Sequence, residues 1–345
     1  MTSNDNPGVA RLSDLGWNNF FAQQLEIEEY ETARPVRITA QRRSGLSVLG
    51  EGLDIDIPPT GDVTVGDWLL IDTESTAYQR RLDRKSLLKR RNPGSDHSEQ
   101  LIAANLDTLF IVTSCNADFN PARLERYLAL AAEADVTPVV ILTKADLTED
   151  ADAYRRQAEA LMPGLLAEAI NAKDATEAAR LLPWCGAGQT VAFAGSSGVG
   201  KSTLLNALVG EDIALTQDIR TDDAKGRHTT THRQMHPLPQ GGWLIDLPGI
   251  RELGLTDAAD GIEAVFADLA ELAQGCKFRD CAHETEPGCA VRAAIDAGEI
   301  DPDRLRRWRK LQAEDMRNSE TIAQRHERDR AFGKMVKGAM AAKKR

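Results

Sequence analysis

Residues 195–203 read GSSGVGKST and residues 141–147 read ILTKADL, and the order of these two stretches decides the fold. The first satisfies G-x-x-x-x-G-K-[ST] in full, with the apolar run QTVAFA before it and LLNAL after it. A glycine-rich turn between a strand and a helix lets backbone N–H groups curl around a phosphate at the helix N-terminus. Gly195, Ser196, Ser197, Gly198, Val199, Gly200, Lys201, Ser202 and Thr203 are therefore the candidate phosphate-binding residues. Lys201 is suited to bridge β- and γ-phosphates and to act in catalysis, and the Ser202 hydroxyl to ligate Mg2+.

A phosphate loop does not choose a base, but TKAD does. Asp146 can accept hydrogen bonds from both N1–H and the 2-amino group of guanine, a pair of donors that adenine lacks. Lys144 can lay its stem across the base, and Thr143 stands where asparagine is more frequent. Asn171, Ala172 and Lys173 follow the next strand-like run and fit a loop that presents a backbone amide to the guanine oxygen. In DLPG (246–249), Asp246 can hold Mg2+ through water and Gly249 can donate its N–H to a γ-phosphate. The intervening KGRHTTTH (225–232) must supply a threonine to Mg2+: Thr230, with Thr229 as the alternative.

The elements thus run guanine, guanine, phosphate, first switch, second switch. A GTPase core cut between its second-switch helix and its fourth strand, with the old ends joined, has this order. Such permutation is tolerated because domain termini often lie close together. The second switch then leads directly into whatever follows it.

The rest of the chain suggests what surrounds this core. Short β-type runs at 36–41, 45–50, 53–58 and 67–72, separated by Gly, Pro and Asp, predict a small OB-type β-barrel. Alternating strand and helix patterns beyond Gln100 predict a parallel or mixed sheet covered by helices. The expected organisation is a loose leader with a short helix (1–33), an OB-fold RNA-binding domain (34–99), a permuted α/β GTPase domain (100–257) and a helical zinc domain with a basic tail (258–345).

With a net charge of −11, the chain lacks a uniformly nucleic-acid-binding surface. Two local blocks differ: 80–91 holds seven Arg/Lys against one Asp, and 317–345 holds nine against three acids. Either could touch phosphate or form a solvated face. No run of about 18 apolar residues predicts a membrane span. MTSNDNPGVARLSDLGW lacks the regions of a signal peptide, so a cytoplasmic protein is expected.

Five cysteines are too few for a disulfide scaffold. Cys276, Cys281, His283 and Cys289 instead offer three thiolates and one imidazole, a closed tetrahedral set suited to one structural Zn2+; buried free cysteines are the alternative. Cys115 and Cys185 lie in apolar surroundings and read as core. His97 and His236 read as surface residues.

The motifs GDWLLID, QLIAANLDTLFIV, FNPARLERYL, TKADL, GSSGVGKSTLLNAL, KGRHTTTHR, LIDLPGIRELGL and the Cys/His cluster together make the chain closely resemble the bacterial ribosome small-subunit-dependent GTPases, a circularly permuted family. The resemblance covers nearly the whole length. It implies an N-terminal OB barrel, a permuted GTPase core and a zinc domain. It also implies binding to the small ribosomal subunit and its 16S rRNA late in maturation, with subunit-stimulated GTP hydrolysis; a monomer is expected. Ile250 stands where a water-orienting glutamine is found in other GTPases. His228 is the best replacement in the chain; a surface or RNA-contact role for it, with a ribosomal group positioning the water, is the alternative. Two other readings stay open: an RNA-binding assembly module whose GTP site only regulates, and an ATP-driven assembly enzyme.

Overall fold

The computed structural model describes residues 11–91, 99–209, 233–245, 247, 255 and 257–319. The N-terminal runs fold as antiparallel neighbours. β1 (Ala33–Arg42), β2 (Gly45–Gly50), β3 (Leu53–Ile57), β4 (Trp68–Asp72) and β5 (Tyr78–Arg81) pair in the order β3-β2-β1-β4-β5. A register shift between Ile38 and Ala40 bends β1. Among the described residues β3 and β5 pair with no strand on their outer sides. The hairpin of β6 (Leu87–Arg91) and β7 (Glu99–Ala104) forms a separate two-stranded sheet, so the 99/100 boundary falls within β7.

The segment expected to be a loose leader is packed from residue 11 onward. Its helices α1 (Asn19–Ala22) and α2 (Glu29–Thr32) are short, but Leu15 and Phe21 are buried and Trp17 meets Trp68 edge-on at 4.8 Å. Arg37 fastens this segment down. Its guanidinium donates to Leu15 O at 2.5 Å, Gly66 O at 3.2 Å, Asn105 O at 2.9 Å and Thr190 Oγ1 at 2.9 Å. Burial lowers its pKa to about 10 against the pull of Asp107 and Asp67, so it stays charged at neutral pH. Partners this far apart in the chain leave no local sequence signal.

β8 (Thr108–Ser114), β9 (Thr137–Thr143), β10 (Leu166–Ala169), β11 (Thr190–Gly195), β12 (Arg233–Pro237) and β13 (Trp243–Ile245) lie in the order β10-β9-β8-β11-β13-β12. All these neighbours are parallel except β12, which runs antiparallel to β13. β8 is buried at every position, as expected of a strand covered on both faces. Numbered from β11 as the first strand, the order is 6-5-4-1-3-2, whatever the starting point of the chain. β12 also pairs with β1, through Ala40 and Gln234, so the two sheets are continuous.

Helices α3 (Pro121–Glu133), α4 (Ala151–Glu159), α5 (Ala175–Ala178) and α6 (Lys201–Val209) follow the strands. α3 starts sharply because Pro121 opens it and the Asn120 side chain accepts the Arg123 N–H. Its buried Leu124, Tyr127, Leu128 and Ala131 fall at helical spacing on one stripe.

The C-terminal part is helical: α7 (Ala259–Val265), α8 (Ala267–Gln274), α9 (Ala290–Asp296) and α10 (Pro302–Ser319). α7 crosses α3 closely at Gly261, where a Cβ would come within 2.2 Å of Ala129 O. α10 is held by ions. Glu125 of α3, fully buried, accepts from Arg307 at 2.7 Å and from Arg304 at 3.3 Å, and Arg304 also pairs with Asp268 at 2.7 Å. Nearer the surface, Arg126 pairs with Glu314 at 2.5 Å.

Candidate functional site

Parallel strands end on one edge of a sheet, so the loops after β9, β10 and β11 converge there. The phosphate loop leaves β11 at Gly195, whose φ of 139° and clearance of 2.2 Å between a hypothetical Cβ and Val112 O require glycine. At Gly200, with φ 97°, a Cβ would come within 3.2 Å of the Thr143 hydroxyl. α6 begins at Lys201, which puts the loop at a helix N-terminus as the motif demands. The Lys201 ammonium donates to Gly195 O at 2.7 Å and to Ser196 O. Ser202 and Thr203 are exposed, and the Ser202 hydroxyl has no partner among the described residues, which fits a ligand for a hard cation.

Thr143 is buried, and its hydroxyl is held by Val199 O in the phosphate loop and by Thr113 O at 3.1 Å. That contact ties the base loop to the phosphate loop, a role not read from the sequence. Lys144 then turns the chain with φ 59°, and Asp146 stands exposed in a short 3-10 turn. The Ala145 N–H donates to Ile170 O at 3.3 Å, which brings in the third loop. There the Asn171 side chain accepts the Lys173 N–H at 3.0 Å, and the Asn171 N–H donates to Glu177 at 2.7 Å. Asn171 thus shapes the turn, and the N–H of the buried Ala172 is left without a partner among the described residues. The structure brings together Thr143, Lys144, Asp146, 171–173 and 195–203. His228, Thr229, Thr230, Asp246, Gly249 and Ile250 lie outside the described residues.

The Cys/His cluster lies between α8 and α9. Cys276 follows α8, Cys289 caps α9 by accepting the Arg292 N–H, and His283 adopts φ 57°. Their ligand atoms and that of Cys281 lie within 4.8 Å of one another. A tetrahedron with metal–sulfur arms of about 2.3 Å has edges of about 3.8 Å. The Cys276 and Cys289 sulfurs are 3.9 Å apart, and His283 Nδ1 lies 3.6 and 3.4 Å from them, so the donor set fits a tetrahedral metal ion. Burial lowers the His283 pKa, with Arg309 aiding and Glu286 opposing, which favours the neutral imidazole that a metal requires. The ring stacks on Trp308 at 5.7 Å.

Cys115 and Cys185 are buried as expected, and burial pushes both thiols up to about 11. The basic run 80–91 differs from expectation. Arg80 pairs with Glu29 at 2.6 Å, Arg84 with Asp67 at 2.7 Å and Lys85 with Asp107 at 3.2 Å, while Arg90 bonds Gln100 at 2.9 Å. Three of its seven cations thus meet acids that are distant in sequence.

A sheet that carries the phosphate-loop motif after β11 and TKADL after β9 has the arrangement of a GTPase whose core is circularly permuted. The solved structure of YloQ, described as a circularly permuted GTPase, superposes with a TM-score of 0.60 over 86% of this chain and 100% of its own, at 24% identity, a likeness of fold. YjeQ from Thermotoga maritima superposes at 0.59 over 81% of this chain and 97% of its own, at 25% identity. The family model of the RsgA GTPase matches residues 81–256. A small ribosomal subunit biogenesis GTPase RsgA of Mesorhizobium japonicum is 55% identical over 317 residues, 89% of this chain and 91% of that protein. The chain belongs to the RsgA GTPase family.

Proposed function

We propose that the chain is a Mg2+-dependent GTPase that binds the maturing small (30S) ribosomal subunit and acts as a late checkpoint, with hydrolysis stimulated by the subunit. The observation that carries this reading is the junction of the base and phosphate loops at one sheet edge, through Thr143 and Val199. The name of the Mesorhizobium relative supports the ribosomal role. Asp146 and Lys144 would select guanine, with the Ala172 N–H toward its oxygen. Gly198–Lys201 would cradle the β-phosphate, and Lys201 would leave its loop carbonyls for the β- and γ-oxygens, where it stabilises charge as water attacks. Ser202, with Thr230 and Asp246, would hold Mg2+, which adds positive charge at the phosphates when bound. Gly249 would donate its N–H to the γ-phosphate, and His228 would hold the attacking water.

Cys276, Cys281, His283 and Cys289 would bind one structural Zn2+. With all four positions filled by protein, that ion has no open site for chemistry. The N-terminal sheet is proposed to serve as an OB-type RNA-binding unit. With three of the seven cations of 80–91 paired to acids within the fold, contacts to 16S rRNA are shared between the rest of that run and the tail from Arg317. No helix among the described residues is long and apolar enough to cross a membrane, and a cytoplasmic monomer is proposed. The test is GTP and ATP turnover by the purified protein with and without small subunits. The expected result is slow basal hydrolysis, strong stimulation and no use of ATP; unstimulated turnover, or equal use of ATP, would overturn the reading.

A further inference from the structure

Arg123 stands in the first turn of α3, a poor place for a cation, because the helix dipole is positive there. Helix stability does not account for it. Its Nη1 donates to the Ser196 hydroxyl in the phosphate loop at 2.5 Å, across 73 residues of chain. No carboxylate among the described residues pairs with it. α3 itself cannot drift. Asn120 caps its start, Gly261 lets α7 press against it, and Glu125 and Arg126 bind α10. The guanidinium is therefore a donor on a fixed mount, aimed at the second residue of the loop.

That residue needs an anchor. Thr143 restrains the far side of the loop at Val199, and Val112 lies against Gly195, where the loop leaves its strand. Among the described residues the side chain of Ser196 has no other partner. Lys201 now contributes at this end through the carbonyls of Gly195 and Ser196, but it must leave them to reach a bound triphosphate. At that moment Arg123 is the side-chain restraint on Ser196 that remains among the described residues.

We propose that Arg123 is a positioning residue of the nucleotide site. Through Ser196 it holds the phosphate loop in its cradle form, so that the backbone N–H groups of Gly198–Lys201 are already aimed inward when nucleotide arrives. The inference rests on the nucleotide-site reading above and adds a residue to it. Because the cradle serves the β-phosphate, GDP and GTP benefit equally.

The experiment is a double-mutant cycle on GDP and GTP affinity in the full-length, metal-loaded protein, with Arg123→Ala, Ser196→Ala and the pair. Each single change should weaken both nucleotides about tenfold, the worth of one partly exposed hydrogen bond to a charged group. The double variant should be no weaker than either single one. Arg123→Lys, which keeps a donor, should recover part of the loss. Ser196→Ala removes only a hydroxyl from a surface loop and leaves the fold intact, so the cycle stays readable if Arg123→Ala unfolds. Additive losses, a harmless Ser196→Ala, or a loss confined to GTP would overturn the proposal; the last would make Arg123 a direct reader of the γ-phosphate. Failure of the wild type to bind guanine nucleotides would instead refute the function proposed above.

Discussion

The nucleotide end of the sheet and the Cys/His cluster are organised in opposite ways. The first gathers residues 143–146, 171–173 and 195–203 from three strand ends, and the sheet between them does the positioning. The second takes all four ligands from 276–289, a stretch with no helix or strand between α8 and α9. A site held by a sheet keeps its geometry whichever strand comes first in the chain, and so it survives permutation. A site held by its own loop depends on what binds the loop. α3 stands between the two, with Arg123 toward the phosphate loop and Glu125 toward α10.

The largest expected effect tests that dependence. Cys281→Ser should release the metal and unfold the segment between α8 and α9, since structural zinc supplies on the order of 10 kcal/mol of local folding energy. Nucleotide affinity should hardly change. Elemental analysis and hydrogen exchange read the two halves separately, and a collapse of GDP binding would show that the regions are not independent.

A smaller effect should come from the joint between them. Glu125→Ala leaves Arg307 without its buried carboxylate, while Arg304 keeps Asp268. Breaking a buried pair costs about 3–5 kcal/mol, and the surviving Asp268 contact puts this case near 3. Urea unfolding measures it. An unchanged midpoint would mean that α10 is held by its apolar face, Leu305, Trp308 and Leu311, instead.

The smallest of the three concerns the base loop. Asp146→Asn should weaken GTP binding by about 2 kcal/mol, because the amide cannot accept both guanine donors. The fold should not respond, since Asp146 is exposed. Isothermal titration beside a thermal melt separates the two, and a lowered melting temperature would mean that Asp146 holds the 3-10 turn as well.

The contiguous motifs were legible because each is a local solution to a local problem: a glycine that tolerates φ 139°, a lysine one residue past a turn, cysteines a few residues apart. What stayed hidden lies in pairs. The acids that pair with Arg80, Arg84 and Lys85 in the run 80–91 are 51, 17 and 22 residues away. A charge count along the chain sees seven cations and cannot see their partners. The packing of residues 11–33 is hidden for the same reason. Leu15, Trp17 and Phe21 look unsupported until Trp68 and Arg37 are brought to them.

By itself the sequence determined the class of the core, the permuted order of its loops and the donor types of the Cys/His cluster. Those follow from residue type and spacing, which covalent connection enforces directly. Only the tertiary structure decided that Thr143 binds the phosphate loop, that Glu125 is buried beneath Arg304 and Arg307, and that Arg123 reaches Ser196. Such contacts depend on which faces of the sheet and helices meet. That choice is made by burying apolar surface over the whole molecule, and no short window of the chain records it.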